Sequence, residues 1–582
     1  MATIPKTENA DSDAFKRLAP MEITHSAMPL PFDPDLLTGA LPCGLRYYIK
    51  KNRKPEKRVA LRLAVRAGSV DEEEAERGMA HMLEHLAFRA TKNYDKFELV
   101  KYLESIGAGF GACQNAYTAF DETVYMLHVP TDKEGLLKQG VQVLHEWASR
   151  IRIADEDVEG EKGVVLEEWR AGRTAAGRMS ESYWRTLVQD SKYADRMPIG
   201  LEEVIKGASG ELVRGLYKRL YTLGRMAAVV VGDFESCEEV LAMLEAEFGS
   251  EPPLAPESLE REAAMAPPPL VPVPAHSVPR VSTFEDAEAT SCEVLVECKV
   301  AKSEQTSTAD TLRRYLRTNL FSEALNTRLY ALSKREDAPF FSASASSQLP
   351  CRALESFTLN ASTPDKEGAL LLALRTLLEE VERVRTHGFS ERELSIVKAN
   401  YLSDLKTTYL ERHQFESSEL ARECCSHFTS GELVLGIEGE VRASKALLGA
   451  ITAAELQADA AHWTWEASCV VKLVLPKRRW GGRGVSAPSE AAVRGVLGAV
   501  VAARAQLAPW EAATSRESLE ELLAAAPTPG RVVSRETTDP DADGGADADG
   551  EAAAPAAPAA ADDAPDATAA STEATATTEA KA

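Results

Sequence analysis

This sequence predicts an α+β fold of two related domains, each a mostly antiparallel sheet with helices packed on one face. Three observations carry that expectation. Short apolar runs of strand length are interleaved with amphipathic segments of helical period. A proline-rich seam with nine prolines between 251 and 279 divides the chain. After the seam, elements of similar size return in similar order, which hints at a divergent internal duplication.

Residues 1–34 read as a flexible, proline-containing arm, and order begins with a turn near Leu41–Leu45. Arg58 to Arg66 alternates in part and predicts a strand. In 75–88, Met79, Met82, Leu83 and Leu86 recur at helical spacing, and 97–106 is a second helix stopped by Gly107 and Gly109. Residues 110–130 predict two strands joined by a turn, followed by helices over 133–149 and 155–173 and a strand over 226–231. The first domain therefore spans 35–250 and the linker 251–280. The second domain, 281–485, begins with a strand at 294–300. Helices follow at 312–330, 366–386 and 391–410, and a late strand at 470–475. An Ala-rich helical extension covers 486–525. Residues 526–582 are too poor in large apolar groups to offset their ordering entropy and are expected to be a disordered acidic tail.

Composition narrows the function. The chain has 582 residues, 44% hydrophobic and 27% charged, which is globular. Its net charge is −24, and 541–582, with 10 acidic residues and one lysine, contribute −9 of it. An acidic chain is not a general nucleic-acid binder. The short basic run Lys51, Arg53, Lys54, Lys57 and Arg58 reads as a solvated loop. No 18-residue apolar run exists, so no membrane span is expected. The first residues resemble neither a signal peptide nor a mitochondrial presequence, and nine scattered cysteines fit a reducing compartment; a cytoplasmic location is expected.

The chemistry concentrates in Gly78-Met79-Ala80-His81-Met82-Leu83-Glu84-His85. On a helix, His81 and His85 are four apart and share a face, so both imidazoles can grip one Zn²⁺. Glu84 projects beside them, where it can take a proton from metal-bound water and pass it to a leaving amine. A third ligand is needed. The 155–173 helix offers Glu156, Glu159, Glu161, Glu167 and Glu168. Position arithmetic alone does not separate Glu168 from Glu167. Helix phase favours Glu168, which shares a face with Glu161 two turns earlier; Glu161 then serves to orient a ligand. His145 and His128 read as packing or surface histidines and Cys113 as a small hydrophobe. Gly107, Gly109 and Gly111 lie between a helix and a strand, the wrong order for a dinucleotide loop.

These segments resemble the pitrilysin/insulinase class of zinc metallopeptidases, the inverzincins of peptidase family M16. The likeness runs from about Leu41 to Phe248, through Arg77–Thr91, Tyr102–Ala112 with Asn115–Thr118, Glu161–Arg170, Ser191–Gly200 and Val229–Phe234. It is greatest to the processing-peptidase-like, bacterial-type branch. The resemblance implies a fold like that of the mitochondrial processing peptidases and LuxS, with an N-terminal zinc-binding domain and a second domain of the M16 C-terminal type. By matching positions, His81, His85 and Glu168 hold one zinc per chain, Glu84 is the general base, Glu161 supports the ligands, and Asn115, Ala116 and Tyr117 form the edge strand beside which an extended substrate lies. Two departures stand out. His85 and Glu168 are 83 residues apart, a few more than usual, and Phe88-Arg89-Ala90-Thr91 replaces the usual Phe-x-Gly-Thr.

The resemblance implies a zinc metalloendopeptidase that hydrolyses internal bonds of extended peptides or unfolded proteins by Glu-assisted attack of zinc-bound water. Family members close as a clamshell of two halves, and nothing after residue 480 could be a second half. A partner half or self-association is therefore expected. The alternative is a non-catalytic peptide-binding or regulatory subunit of a metallopeptidase complex; a purely structural subunit is a third class.

Overall fold

The computed structural model describes residues 6–109, 111–255, 260, 264–302, 307–477 and 485–510. The predicted tail at 526–582 and the end of the predicted extension lie outside them.

The first sheet holds six strands: β1 (Leu36–Ala40), β2 (Arg46–Lys51), β3 (Arg58–Val65), β4 (Gln114–Thr118), β5 (Thr123–Pro130) and β6 (Met226–Gly232). Their order is β1-β2-β6-β3-β5-β4, antiparallel except for β2 beside β6. The central strands β3 and β6 are buried along nearly their whole length; β6 is a continuous apolar run, and β3 buries Arg62 as well, which donates to the Ser418 carbonyl at 2.8 Å. The turn at Leu41–Leu45 joins β1 to β2, a hairpin too polar and too short to announce itself as strands.

On one face of this sheet lie α2 (Met79–Arg89), α3 (Glu98–Ser105), α4 (Leu136–Ser149), α5 (Asp155–Ala171), α8 (Gly210–Leu220) and α9 (Cys237–Phe248). Val59, Leu61, Leu63 and Val65 of β3 point into the core they share with Met82, Leu86, Leu144, Trp147 and Val165. Two further helices, α6 (Ala175–Leu187) and α7 (Glu202–Gly207), precede α8; none of α6 to α9 was expected from the sequence.

The second sheet contains β7 (Arg280–Asp286), β8 (Cys292–Ala301), β9 (Ser342–Cys351), β10 (Leu354–Thr363) and β11 (Cys469–Pro476), in the order β7-β11-β8-β10-β9. Only β7 and β11 run parallel. Without β1, the first sheet has the same order and the same directions. The duplication hinted at by the sequence is thus repeated strand for strand. Helices α10 (Ala309–Ser333), α11 (Ala369–His387), α12 (Glu391–Leu410), α13 (Ser417–Ser430), α14 (Gly436–Leu448), α15 (Ala453–Asp459) and α16 (Glu490–Ala503) complete this half. Val493, Leu497 and Val500 of α16 are buried in the second core.

Each sheet's other face is covered by one helix from the opposite half. Ala421, Cys424, Cys425 and Phe428 of α13 pack on Tyr48, Ala60, Ala64, Val124, Val229 and Val231 of the first sheet. Arg66 donates from Nε to the Phe428 carbonyl at 2.9 Å and lies over its ring at 4.0 Å. Reciprocally, Leu187 at the end of α6, with Val188 and Tyr193, packs on Leu354 and Val470 of the second sheet. The buried Lys299 ammonium donates to the Leu187 carbonyl at 2.7 Å, and Tyr183 hydrogen-bonds Glu297.

The arm expected to be loose is a helix, α1 (Lys6–Arg17), followed by an extended strap. Phe15 is buried among Leu405, Tyr409 and Val441, and Leu30 enters the second core. Met21, Ile23 and Met28 pack against the same core and Leu18 beside Phe15; these anchors are irregularly spaced, a signal that periodicity does not detect.

Candidate metal centre

The site is built on α2. Met79, Met82, Leu83 and Leu86 are fully buried in the core, which leaves His81, Glu84 and His85 on the helix face turned toward α5 and β4. The start of α2 is held from two sides. The fully buried Glu72 carboxylate accepts from the Gly78 amide at 3.0 Å and the Ala80 amide at 2.7 Å, completing backbone groups that the helix cannot satisfy itself. Burial is the main influence on this carboxyl and raises its pKa to about 8. Gly78 has φ +97° and touches Gly200, where φ is +74°; a Cβ on Gly200 would lie 2.4 Å from Gly78 Cα. Arg196 donates to the Glu72 carbonyl at 3.0 Å and to Glu74 at 2.9 Å. The Ser191–Gly200 block thus buttresses the metal helix.

Three side chains converge. His81 Nε2 and His85 Nε2 are 3.3 Å apart, and Glu168 Oε2 lies 3.6 Å from the first and 3.4 Å from the second. Tetrahedral zinc with bonds of about 2.0–2.1 Å sets its ligand atoms roughly 3.3–3.4 Å apart. Two sides of the triangle match that spacing, and the His81–Glu168 side, at 3.6 Å, is slightly longer. Among the described residues, His81, His85 and Glu168 are the group of three able to hold a metal. Glu167, left open by position arithmetic, points outward to Arg170 at 2.5 Å.

Glu161 lies one layer behind. Its Oε1 is 2.9 Å from His85 Nδ1, and its Oε2 accepts from Arg89 Nη1 at 2.8 Å. Arg89 Nε also donates to Asp157 at 3.0 Å. Burial opposes a charge on His85, yet the bonds to Glu161 and Glu168 outweigh it and raise its pKa to about 10. Burial lowers the pKa of His81. Burial also works against ionised Glu161, but His85 and Arg89 bring its pKa below the ordinary value; the His85 hydrogen bond does the same for Glu168. Without metal the centre is one imidazolium between carboxylates, a charge arrangement that a divalent cation can replace.

Glu84 is nearly buried, and Thr118 Oγ donates to its Oε2 at 2.6 Å. Thr118 ends β4, the outermost strand of the first sheet, so that strand's outer edge has no strand partner among the described residues. Asn115 and Tyr117 are exposed on β4; Asn115 Oδ1 accepts from the Ala116 amide at 2.9 Å and Tyr117 donates to Glu122 at 2.7 Å. Ala116 packs toward the core. Thr118, Arg89 and Asp157 were not singled out from the sequence as site residues. Strand alternation carried a signal for Thr118, which lies two residues after Ala116 and therefore on its face. His145 is fully buried between Glu247 at 3.0 Å and Glu251 at 2.7 Å, where it ties α4 to the end of α9.

A duplicated α+β scaffold with an inverse His-x-x-Glu-His helix facing a glutamate helix defines a class of metallopeptidase-like domains. The insulinase (peptidase family M16) domain matches residues 47–191, and the domain described as the peptidase M16 inactive domain matches 208–401. The chain belongs to this family. It is 39% identical over 508 residues to a zinc protease PQQL-like protein of Arabidopsis thaliana, covering 86% of this chain and 47% of that protein. To the probable zinc protease PqqL of Escherichia coli K12 it is 29% identical, over 74% of this chain and 45% of the relative. The crystal structure of the first half of the periplasmic protease PqqL from Escherichia coli superimposes with a TM-score of 0.74 at 26% identity, covering 83% of this chain and all of that one. This chain spans about half the length of the curated relatives it matches. No helix among the described residues is long and apolar enough to cross a membrane. With relatives named for the periplasm and for the chloroplast, the compartment is open.

Proposed function

We propose that this chain is the metal-binding half of a zinc metalloendopeptidase that cleaves internal bonds of extended peptides or unfolded proteins. The observation that carries it is the convergence of His81 Nε2, His85 Nε2 and Glu168 Oε2 beside a carboxylate, Glu84, that has no role in holding the triangle. His81, His85 and Glu168 would hold one zinc per chain, which would supply Lewis acidity to a water and a peptide carbonyl. Glu161 keeps the His85 proton on Nδ1 and so turns the Nε2 lone pair to the centre. Glu84 takes a proton from water and delivers it to the leaving nitrogen, while Thr118 fixes its Oε2 and leaves Oε1 available. The open edge of β4, at Asn115, Ala116 and Tyr117, accepts the substrate as an added strand, through main-chain hydrogen bonds that tolerate many sequences.

A partner half or a second copy that closes the chamber belongs to this reading. The match of residues 208–401 to the domain described as the peptidase M16 inactive domain motivates a second one, a peptide-binding or regulatory subunit without catalysis. Elemental analysis and a peptide-cleavage assay separate the two. The parent should carry about one zinc, His81→Ala none, and Glu84→Gln should keep zinc and peptide binding while losing cleavage. Unchanged cleavage in Glu84→Gln would remove Glu84 as the base. A metal-free parent after zinc supplementation would leave the binding subunit.

A further inference from the structure

The guanidinium of Arg89 is restrained on three sides. Its Nε donates to Asp157 Oδ1 at 3.0 Å, its Nη1 to Glu161 Oε2 at 2.8 Å, and its carbon lies 5.3 Å from the Phe97 ring centre. Asp157 is fully buried, and its Oδ2 has no hydrogen-bond partner among the described residues. A carboxylate buried in that condition is costly unless a charge lies against it, and Arg89 supplies one. The opposite wall is Gly160, in the interior of α5. Glycine weakens a helix there, and its φ is not one that demands glycine. Space does: a Cβ on Gly160 would lie 2.4 Å from Arg89 Nη2 and 3.1 Å from its Cζ. Gly160 leaves open on α5 the space that the guanidinium occupies.

We propose that Arg89 is a positioning residue of the metal centre and that Gly160 is its clearance. A free Glu161 could offer either oxygen to His85, or neither. With Oε2 bound to Arg89, Oε1 is the oxygen left for His85 Nδ1. The proton then stays on Nδ1, and Nε2 presents its lone pair beside His81 and Glu168. Arg89 thus acts through Glu161 and touches neither metal nor substrate. Its planar, permanently charged fork reaches two carboxylates on α5 at once, from two different nitrogens held in fixed geometry. The inference rests on the zinc assignment above.

The test is a double-mutant cycle read by zinc affinity, from competition with a chromophoric chelator, and by melting of the chelator-treated protein. Arg89→Leu should weaken zinc binding by about 10- to 100-fold, the usual effect of losing a residue behind a metal ligand. Arg89→Lys should recover part of that. Gly160→Ala, which keeps every polar group, should weaken zinc binding in the parent by crowding Arg89 out. In the Arg89→Leu background the same change should leave zinc affinity unaltered and raise the metal-free melting temperature, because alanine is the better helix former. A merely structural Arg89 would lower melting and leave zinc affinity alone. Zinc affinity of Arg89→Leu within twofold of the parent overturns the assignment of Arg89, and equal effects of Gly160→Ala in both backgrounds overturn that of Gly160. If Arg89→Leu does not fold, Gly160→Ala in the parent decides the matter. A parent that binds no zinc refutes the metal centre itself, and the role of Arg89 with it.

Discussion

Which groups in the cleft carry a proton decides what it can bind, and the assignment follows from neighbours rather than from residue type. His81 and His85 are alike in the sequence, yet burial lowers the pKa of one while Glu161 and Glu168 raise the other to about 10. This has a consequence for the metal-free protein. A histidine raised above its ordinary value of 6.5 contributes stability that is complete below pH 6.5 and is lost as pH rises through about 10. The lowered pKa values of Glu161 and Glu168 give stability that is complete above pH 4.5 and is lost in more acid solution. Melting of chelator-treated protein should therefore decline between pH 6.5 and 10 more steeply in the parent than in His85→Gln; parallel curves would refute the charged pair. That His81 and His85 share one face was legible from spacing alone, because a helix places positions 81 and 85 together whatever surrounds them. Thr118, Asp157 and Arg89 were not, because their roles exist only once β4 and α5 are brought against α2.

At the scale of the element, the metal helix is positioned by segments distant in sequence. Glu72 caps it, Arg196 holds the Glu72 carbonyl, and Gly200 meets Gly78 backbone to backbone. Gly200→Ala would bring a Cβ to 2.4 Å from Gly78 Cα at a positive φ. Strain of that kind costs about 1–3 kcal/mol before any displacement of the helix is counted. Chemical denaturation should show a loss at least that large, with zinc uptake weakened because the start of α2 must move. A variant with parental stability and zinc affinity would show that this contact does not position the helix. The sequence marked Gly78 and the Ser191–Gly200 block as features, but only their contact explains why both need glycine.

For the whole molecule, the reciprocal covering of the two sheets makes the described body one cooperative unit. The face formed by Tyr48, Ala60, Ala64, Val124, Val229 and Val231 is apolar and is sheltered by α13 from the other half. Residues 35–250 expressed alone would expose it, along with Arg66, deprived of the Phe428 carbonyl. Exposed apolar patches of that size drive association. We expect this fragment to aggregate or to lack a cooperative melting transition, although it contains the whole triangle. A monomeric fragment melting like the parent would show that the two halves are independent.

By itself the sequence determined the class of fold, the family, the metal helix and the direction of the acidic charge. The family rests on a resemblance of motifs; the others rest on local spacing, period 3.6 or period 2, or on composition, which survives in one dimension. The tertiary structure decided the rest: the Arg89–Asp157–Glu161 brace, the docking of the N-terminal arm through Phe15 and Leu30, and the exchange of α6 and α13 between halves. These depend on contacts between residues tens to hundreds of positions apart. No local periodicity encodes such pairings, because they arise only when two sheets and their helices bury one another's remaining faces.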